Sequence, residues 1–269
     1  MKVEAVRYWN SKARKNESEA RDAILSGFRG EREFDVAGRI DAGHLVLPFI
    51  SRRDTVIDVG CGIGRLMKWV APHCSKLVGL DVSEEMLKRA KRRLSGFSGF
   101  QNISLRKLGR SLRFPIANSF ADFVYFYHVS EHMDREDAFT ILGEIRRCLK
   151  PSGHALIEYS LITHSDNQSE FLHWAKEGDA DGVRSRFYTE QEAAMLLEMA
   201  ELHPQVRLYI PGEFTVVVSK KDARVLGEMP LMELFSETNG SARFHEGRGS
   251  ACARRWKALL RPHRRGRTG

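Results

Sequence analysis

The chain has 269 residues and a formal net charge of +8, enough material for one α/β domain with additions. No run of 18 apolar residues occurs and Met1 to Arg7 lack an apolar stretch, which excludes a membrane-spanning helix and a secretory leader from the expectations. Residues 243–269 hold nine Lys/Arg against one acid, so the first 242 residues balance at 34 and 34 and carry no electrostatic footprint of nucleic-acid binding.

Residues 1–35 read as charged helix and a cap, with Tyr8 and Trp9 as the large aromatics. Two readings of this pair stand: a lid over a ligand site, or a pin that docks the helix on the domain. Residues 36–50 read as a helix packed on a sheet. The β-branched run 55–59 is a buried strand, and it ends in Gly60, Gly62 and Gly64 before a helical pattern over 63–72. Glycines there let the backbone take left-handed values and approach a ligand closely, beneath the free N–H groups of a helix start. A second strand, 76–80, ends in Asp81, 21 positions after Gly60, where an acid accepts bonds from ribose hydroxyls. Ser83 caps a helix over 83–95, with Glu84 and Glu85 in its first turn.

Strands at 102–106 and 121–127, a helix at 135–149 and a strand at 153–160 follow. The alternation implies a parallel sheet with helices on both faces. The polar run 163–168 reads as loop, and 171–175 as a short helix. Thr189 to Glu192 fits a capping box before a helix over 190–201. Strands 205–210 and 213–219, joined by Pro211-Gly212, read as an antiparallel hairpin. The domain is expected over 36–221. Residues 222–269, rich in Gly and Arg, read as a basic, largely disordered tail, with short helical possibilities at 226–235 and 253–260. A solvated tail is the preferred reading, and weak contact with an anionic surface the alternative. Cys61, Cys74, Cys148 and Cys252 form no Cys-x-x-Cys pair, which reads as reduced thiols in the cytoplasm, with no disulfide frame and no metal site.

A dinucleotide fold would show Gly-x-Gly-x-x-Gly for a pyrophosphate. Here the pattern is Gly-x-Gly-x-Gly, preceded by Asp58. A carboxylate there repels a pyrophosphate and suits a ligand with an ammonium group and no phosphate, such as S-adenosylmethionine.

Val56 to Gly64 resembles motif I of the class I S-adenosylmethionine-dependent methyltransferases, and Val78 to Leu87 resembles their second motif. Ser119 to Val124 with Val129 to His132 resembles their fourth-strand segment, and Glu144 to Gly153 the helix and turn before the fifth strand. The matches run in family order over roughly residues 35 to 220. The resemblance implies a Rossmann-like class I methyltransferase fold: a mostly parallel seven-stranded sheet, helices on both faces and a C-terminal antiparallel hairpin. It implies S-adenosylmethionine as cofactor, bound by Asp58, Gly60, Cys61, Gly62, Gly64, Asp81, Val82, Met86, Gly109, Arg110 and Tyr127. Two departures stand out. No acid follows the third strand, so the adenine would lean on the backbone of Gly109 and Arg110, and Ser152 replaces the second Gly of Pro-Gly-Gly.

Trp9, Tyr159, Arg186 and Tyr188 are expected on the substrate side. His132 and His128 are the candidate proton acceptors; for His132 a structural or cofactor-adjacent role stands ahead of a base. The function implied is methyl transfer to an O, N or C atom of a small-molecule acceptor. The alternatives are an RNA or protein methyltransferase with the tail as docking arm, or a non-catalytic S-adenosylmethionine-binding module.

Overall fold

The computed structural model describes residues 1, 3–25, 30–97, 99–178 and 185–221, and the backbone of 228–230. Three helices come first: α1 (Val3–Arg14), α2 (Glu17–Ile24) and α3 (Glu31–Asp41). Then follow β1 (Thr55–Val59), α4 (Met67–Val70), β2 (Lys76–Asp81), α5 (Glu84–Leu94), β3 (Ile103–Lys107), β4 (Ala121–Phe126), α6 (Arg135–Cys148) and β5 (Leu149–Ser160). The chain continues through α7 (Ser165–Glu177), α8 (Glu190–Met199), β6 (His203–Ile210), β7 (Glu213–Ser219) and β8 (Glu228–Pro230).

The strands form one sheet in the order β3-β2-β1-β4-β5-β7-β6-β8. β1 to β5 pair in parallel, and β7 enters antiparallel between β5 and β6. The strand order reverses at β1 and β4, so their carboxyl ends frame the crevice where an open α/β sheet binds its ligand. An eighth strand lies beyond the seven expected: β8 pairs in parallel with β6, past the anticipated domain end. The remainder of 222–269 lies outside the described residues.

Side chains on a strand alternate between faces, and the sheet is covered on both. Ile57, Val78, Val124, Ile157 and Val216 pack with α6 and α8 through Ile141, Ile145 and Leu197. Val56, Leu77, Phe123, Leu156 and Val217 pack on the other face with Val46, Met67, Ala90 and Leu94. Each such fully buried aliphatic side chain is worth about 1.5–3 kcal/mol. α6 keeps Ala138, Ile141, Leu142, Ile145 and Cys148 inward at helical spacing.

Three local expectations are corrected. The helix expected over 63–72 is regular only over Met67–Val70. Gly62 and Gly64 sit at φ +52° and +80°, which a right-handed helix cannot use, and Pro72 stands in a 3-10 turn at the far end. The 36–50 helix is the end of α3 followed by a π turn over Ala42–Val46 and a 3-10 turn over Leu47–Phe49, which contains Pro48. Of the loop expected over 163–168, residues 165–168 are the first turn of α7, which His164 caps by accepting a bond from the Asp166 N–H at 3.4 Å.

Candidate active site

At the carboxyl ends of β1, β2 and β4 lies a cavity. One wall is the glycine loop, with Gly60 and Gly62, and Asp81, Val82 and Met86 continue it. Leu108, Leu112 and Ile141 give an apolar side, and His128, Val129, His132 and Met133 form the far end. Met1, Trp9 and Ile24 of the N-terminal helices complete the cover.

The glycine loop is shaped for close approach. Gly60 has φ +77°, and a Cβ there would stand 2.5 Å from Val129 Cγ2. A Cβ on Gly62 would stand 3.0 Å from Ile24 Cδ1. Asp81 ties the two loops together: its Oδ2 accepts from the Gly62 N–H at 2.8 Å and its Oδ1 from the Ser83 N–H at 2.7 Å. Burial pushes its carboxyl up to about 6, against the pull of those backbone donors. Asp58 is raised to about 7 by burial, while the Tyr125 hydroxyl lowers it, nearby Asp81 raises it further and Arg65 lowers it.

The cavity fits a nucleoside with an amino-acid end. Asp81 faces it as a buried carboxylate whose only hydrogen-bond partners among the described residues are backbone N–H groups, so ribose hydroxyls find an acceptor. Leu108, Leu112 and Val82 suit a flat base, and the Cβ-free loop leaves room beside Gly60 and Gly62.

The expected residues divide. Gly60, Gly62, Asp81, Val82, Met86, Trp9, His128 and His132 line the cavity. The others are placed elsewhere, each for a physical reason. Gly64 faces α5, where a Cβ would meet Leu94 Cδ1 at 2.8 Å, so it serves helix packing. Cys61 and Tyr127 pack with the core on the α4–α5 face, and the Tyr127 hydroxyl reaches Glu213 at 3.5 Å. Asp58 lies buried behind the loop. Gly109 and Arg110 are exposed, while their neighbours Leu108 and Leu112 face inward. Tyr159 and Tyr188 are fully buried against each other, ring centres 4.8 Å apart, in the core on the α6–α8 face. Arg186 is engaged by Asp134 at 3.0 Å.

The cover is fixed through α5. Asn10 Oδ1 accepts from the Ser83 hydroxyl at 2.8 Å and from the Glu85 N–H at 3.3 Å. Ser83, which also accepts from the Met86 N–H at 3.1 Å, caps α5. Arg89 donates to the carbonyls of Ala13 and Lys15 and pairs with Glu17. Thus Trp9 both lines the cavity and belongs to a docked helix.

The two histidines are in opposite states. His128 sits at φ +55°, with Nδ1 3.6 Å from Glu131 Oε1 and Nε2 3.6 Å from Glu213 Oε1. Burial opposes its charge, but Glu131, Glu158 and Glu213 outweigh burial and raise it to about 9. A ring protonated at neutral pH is no base, which corrects the expectation for His128. His132 is lowered, chiefly by burial against the opposing pull of Glu131, so it is neutral at pH 7. Its Nε2 lies 3.7 Å from Glu131 Oε1, its Nδ1 has no hydrogen-bond partner among the described residues, and the Trp9 ring meets it edge-on at 5.0 Å.

Two acids were missed by sequence reasoning. Glu158 is fully buried in β5, with its carboxyl raised by burial and by Glu131 and Glu213. Its signal was there to read: one acid inside the run Ala155-Leu156-Ile157-Glu158-Tyr159. Glu213, at the start of β7, carries no such signal.

Residues 56–153 match the sequence model of a family described as a methyltransferase domain. The chain is similar to 24-methylenesterol C-methyltransferase 2 of Oryza sativa subsp. japonica, at 31% identity, over 46% of this chain and 35% of that protein. It is similar to carboxy-S-adenosyl-L-methionine synthase of Hydrogenovibrio crunogenus, at 28% identity, over 48% and 52% of the two chains. The match thus spans about half or less of these relatives' length. A SAM-dependent methyltransferase of Leishmania major superposes with a TM-score of 0.57 at 15% identity, over 80% of this chain and 81% of that one. A Pyrococcus horikoshii protein does so with a TM-score of 0.57 at 17% identity, over 74% and 96%. At these identities the structural likeness is one of fold. Among the described residues no helix is long and apolar enough to cross a membrane.

Proposed function

The chain belongs to the class I family of S-adenosylmethionine-dependent methyltransferases, and we propose that it moves a methyl group from S-adenosylmethionine to a small-molecule acceptor. One observation carries the reading: the Cβ-free loop at Gly60 and Gly62, the buried Asp81 carboxylate and the neutral His132 all face one covered cavity. Asp81 receives the ribose hydroxyls. Gly60 and Gly62 pass beside the amino-acid end, and Leu108 and Leu112 hold the base. When bound, S-adenosylmethionine supplies an activated methyl on a positively charged sulfur.

The chain's own part is positioning, exclusion of water and, where the acceptor carries a proton, its removal. Trp9 and Met133 close the acceptor side. The Glu131 carboxylate, 3.7 Å from His132 Nε2, favours the tautomer with the proton on that nitrogen, and Nδ1, which has no hydrogen-bond partner among the described residues, accepts another. A small acceptor is favoured over a macromolecule because the N-terminal helices cover the cavity and the first 242 residues are charge-balanced. The sterol in the rice relative's name points the same way.

The test is incubation of the protein with methyl-labelled S-adenosylmethionine and a fractionated lysate. Label should enter the small-molecule fraction, and His132→Gln should lower that incorporation while leaving cofactor affinity in place. Label appearing in RNA or protein alone would overturn the acceptor class. Failure to bind S-adenosylmethionine by calorimetry would overturn the reading as a whole.

A further inference from the structure

The ends of β4, β5 and β7 bring together a second set of groups that the cofactor does not need. The imidazole of His128 and the carboxylates of Glu131 and Glu158 each place one ligand atom within 4.8 Å of the other two. His128 alone of the three lines the cavity. We propose that His128, Glu131 and Glu158 form a binding site for one divalent cation on the acceptor side of the cavity, the ion taking the place of the His128 Nδ1 proton, which is released to solvent.

Four observations carry the site. First, spacing: His128 Nδ1 and Glu131 Oε1 are 3.6 Å apart. That is beyond a hydrogen bond, which closes at about 2.7–3.2 Å. It matches two ligands of one ion, since atoms held about 2.0–2.2 Å from a metal stand about 3–4 Å from each other. Second, an open valence: Glu131 is only 7% exposed, yet its Oε2 has no hydrogen-bond partner among the described residues. A buried carboxylate oxygen left so is costly, and a cation satisfies it.

Third, the ligands are held from behind. The other ring nitrogen of His128, Nε2, faces Glu213 Oε1 at 3.6 Å, and Glu213 Oε2 accepts from the Thr215 hydroxyl at 3.1 Å. A metal-binding imidazole usually turns its second N–H toward a carboxylate, and Glu213 stands on that side of the ring. Glu158 is anchored likewise: its Oε1 accepts from the Ser160 hydroxyl at 3.1 Å and its Oε2 from the His128 backbone N–H at 3.0 Å. Fourth, the backbone of His128 is left-handed at φ +55°, uncommon for a residue with a side chain. That turn is what brings the His128 N–H onto Glu158 while the ring stays between Glu131 and Glu213.

One nitrogen and two carboxylates suit Mn²⁺, Fe²⁺ or Zn²⁺ better than a wholly oxygen-seeking ion. Three protein ligands leave coordination positions open, and the cavity is the side on which His128 is accessible. The site stands independently of the acceptor's identity.

Mn²⁺ is the probe. The full chain is treated with chelator, exchanged into metal-free buffer and titrated with Mn²⁺, free ion being followed by electron paramagnetic resonance. One Mn²⁺ per chain is expected, and pulsed spectra of the bound ion in the unaltered protein should show coupling to an imidazole nitrogen. His128→Asn and Glu131→Gln should each abolish stoichiometric binding, and Glu213→Gln, one step removed from the ion, should weaken it about 10- to 100-fold. Thermal melting of each variant reports whether it is folded. The proposal is overturned if neither Mn²⁺ nor Zn²⁺ binds the unaltered protein, if bound Mn²⁺ shows no nitrogen coupling, or if the folded variants bind as the parent does.

Discussion

At one end of the cavity, Gly60, Gly62, Asp81 and Ser83 lie on two adjacent turns and are joined by backbone N–H groups donating to one carboxylate. At the other end, His128 and Glu131 come from the loop after β4, Glu158 from β5 and Glu213 from β7, and they hold one another by charge. The first arrangement depends on backbone shape, so it breaks when a side chain is added. The second depends on the balance of ionised groups, so it breaks when a charge is removed. A motif can encode the first because its parts are close in sequence. The second exists only once β5 and β7 have been laid beside β4.

The sharpest way to break the backbone-built end is Gly60→Ala. The left-handed φ costs about 1–2 kcal/mol for a residue with a Cβ. The clash with Val129 adds about 1–3 kcal/mol of overpacking. A loss of about 2–5 kcal/mol in unfolding free energy is expected, read by denaturant titration. Adding Val129→Ala should recover the clash and leave the backbone cost. Full recovery would show that the φ of +77° carries no penalty.

Next comes Asp81→Ala, which removes the proposed ribose acceptor and should weaken S-adenosylmethionine binding by about 1.5–3 kcal/mol, or about 10- to 150-fold. Calorimetry reads this directly, and an unchanged dissociation constant would end the ribose assignment.

A smaller effect follows from protonation. In the ligand-free protein Asp81 and Asp58 are raised to about 6 and about 7, above the ordinary carboxyl range of an unfolded chain. Raised carboxyls favour the ligand-free fold at low pH, and their contribution is lost as pH rises through those values. A ligand that donates hydrogen bonds to Asp81, the one of the two that lines the cavity, reverses the trend for that group. Affinity for S-adenosylmethionine should therefore climb by about fourfold between pH 5.5 and 8, with the stabilisation it confers growing in parallel. Affinity falling over that range would place Asp81 outside cofactor binding.

The smallest effect tests whether either end needs the tail. We propose from composition that residues 243–269 bury little apolar surface. Their deletion should leave melting temperature and S-adenosylmethionine affinity within error, while weakening salt-sensitive binding to anionic vesicles. A lowered melting temperature would move the domain boundary.

The same contrast explains what could be read from residues alone. Thr55 to Asp81 was legible because strand, glycine turn and acid are consecutive and each has a local cause. The inward turn of Tyr159 and Tyr188 was not, because an aromatic at a strand end suits a cavity wall and a core equally until α8 is in place. Gly64 read as a ligand glycine, yet its conformation serves the approach of Leu94 from a helix not yet placed. His128 was the hardest: its charge is set by Glu131 together with Glu158 and Glu213, the last two far along the chain, and without them an imidazole near 6.5 looks like a base.

Arg89 has a further consequence for how this protein comes apart. By donating to the carbonyls of Ala13 and Lys15, it satisfies acceptors that the end of α1 leaves open. α1 therefore cannot fray from its C-terminal end without stripping a buried guanidinium of its partners. Its middle is held by Asn10 at the α5 cap. The roof of the cavity should open as a single cooperative unit, all of α1 at once, with amide protons along the helix exchanging at one common rate.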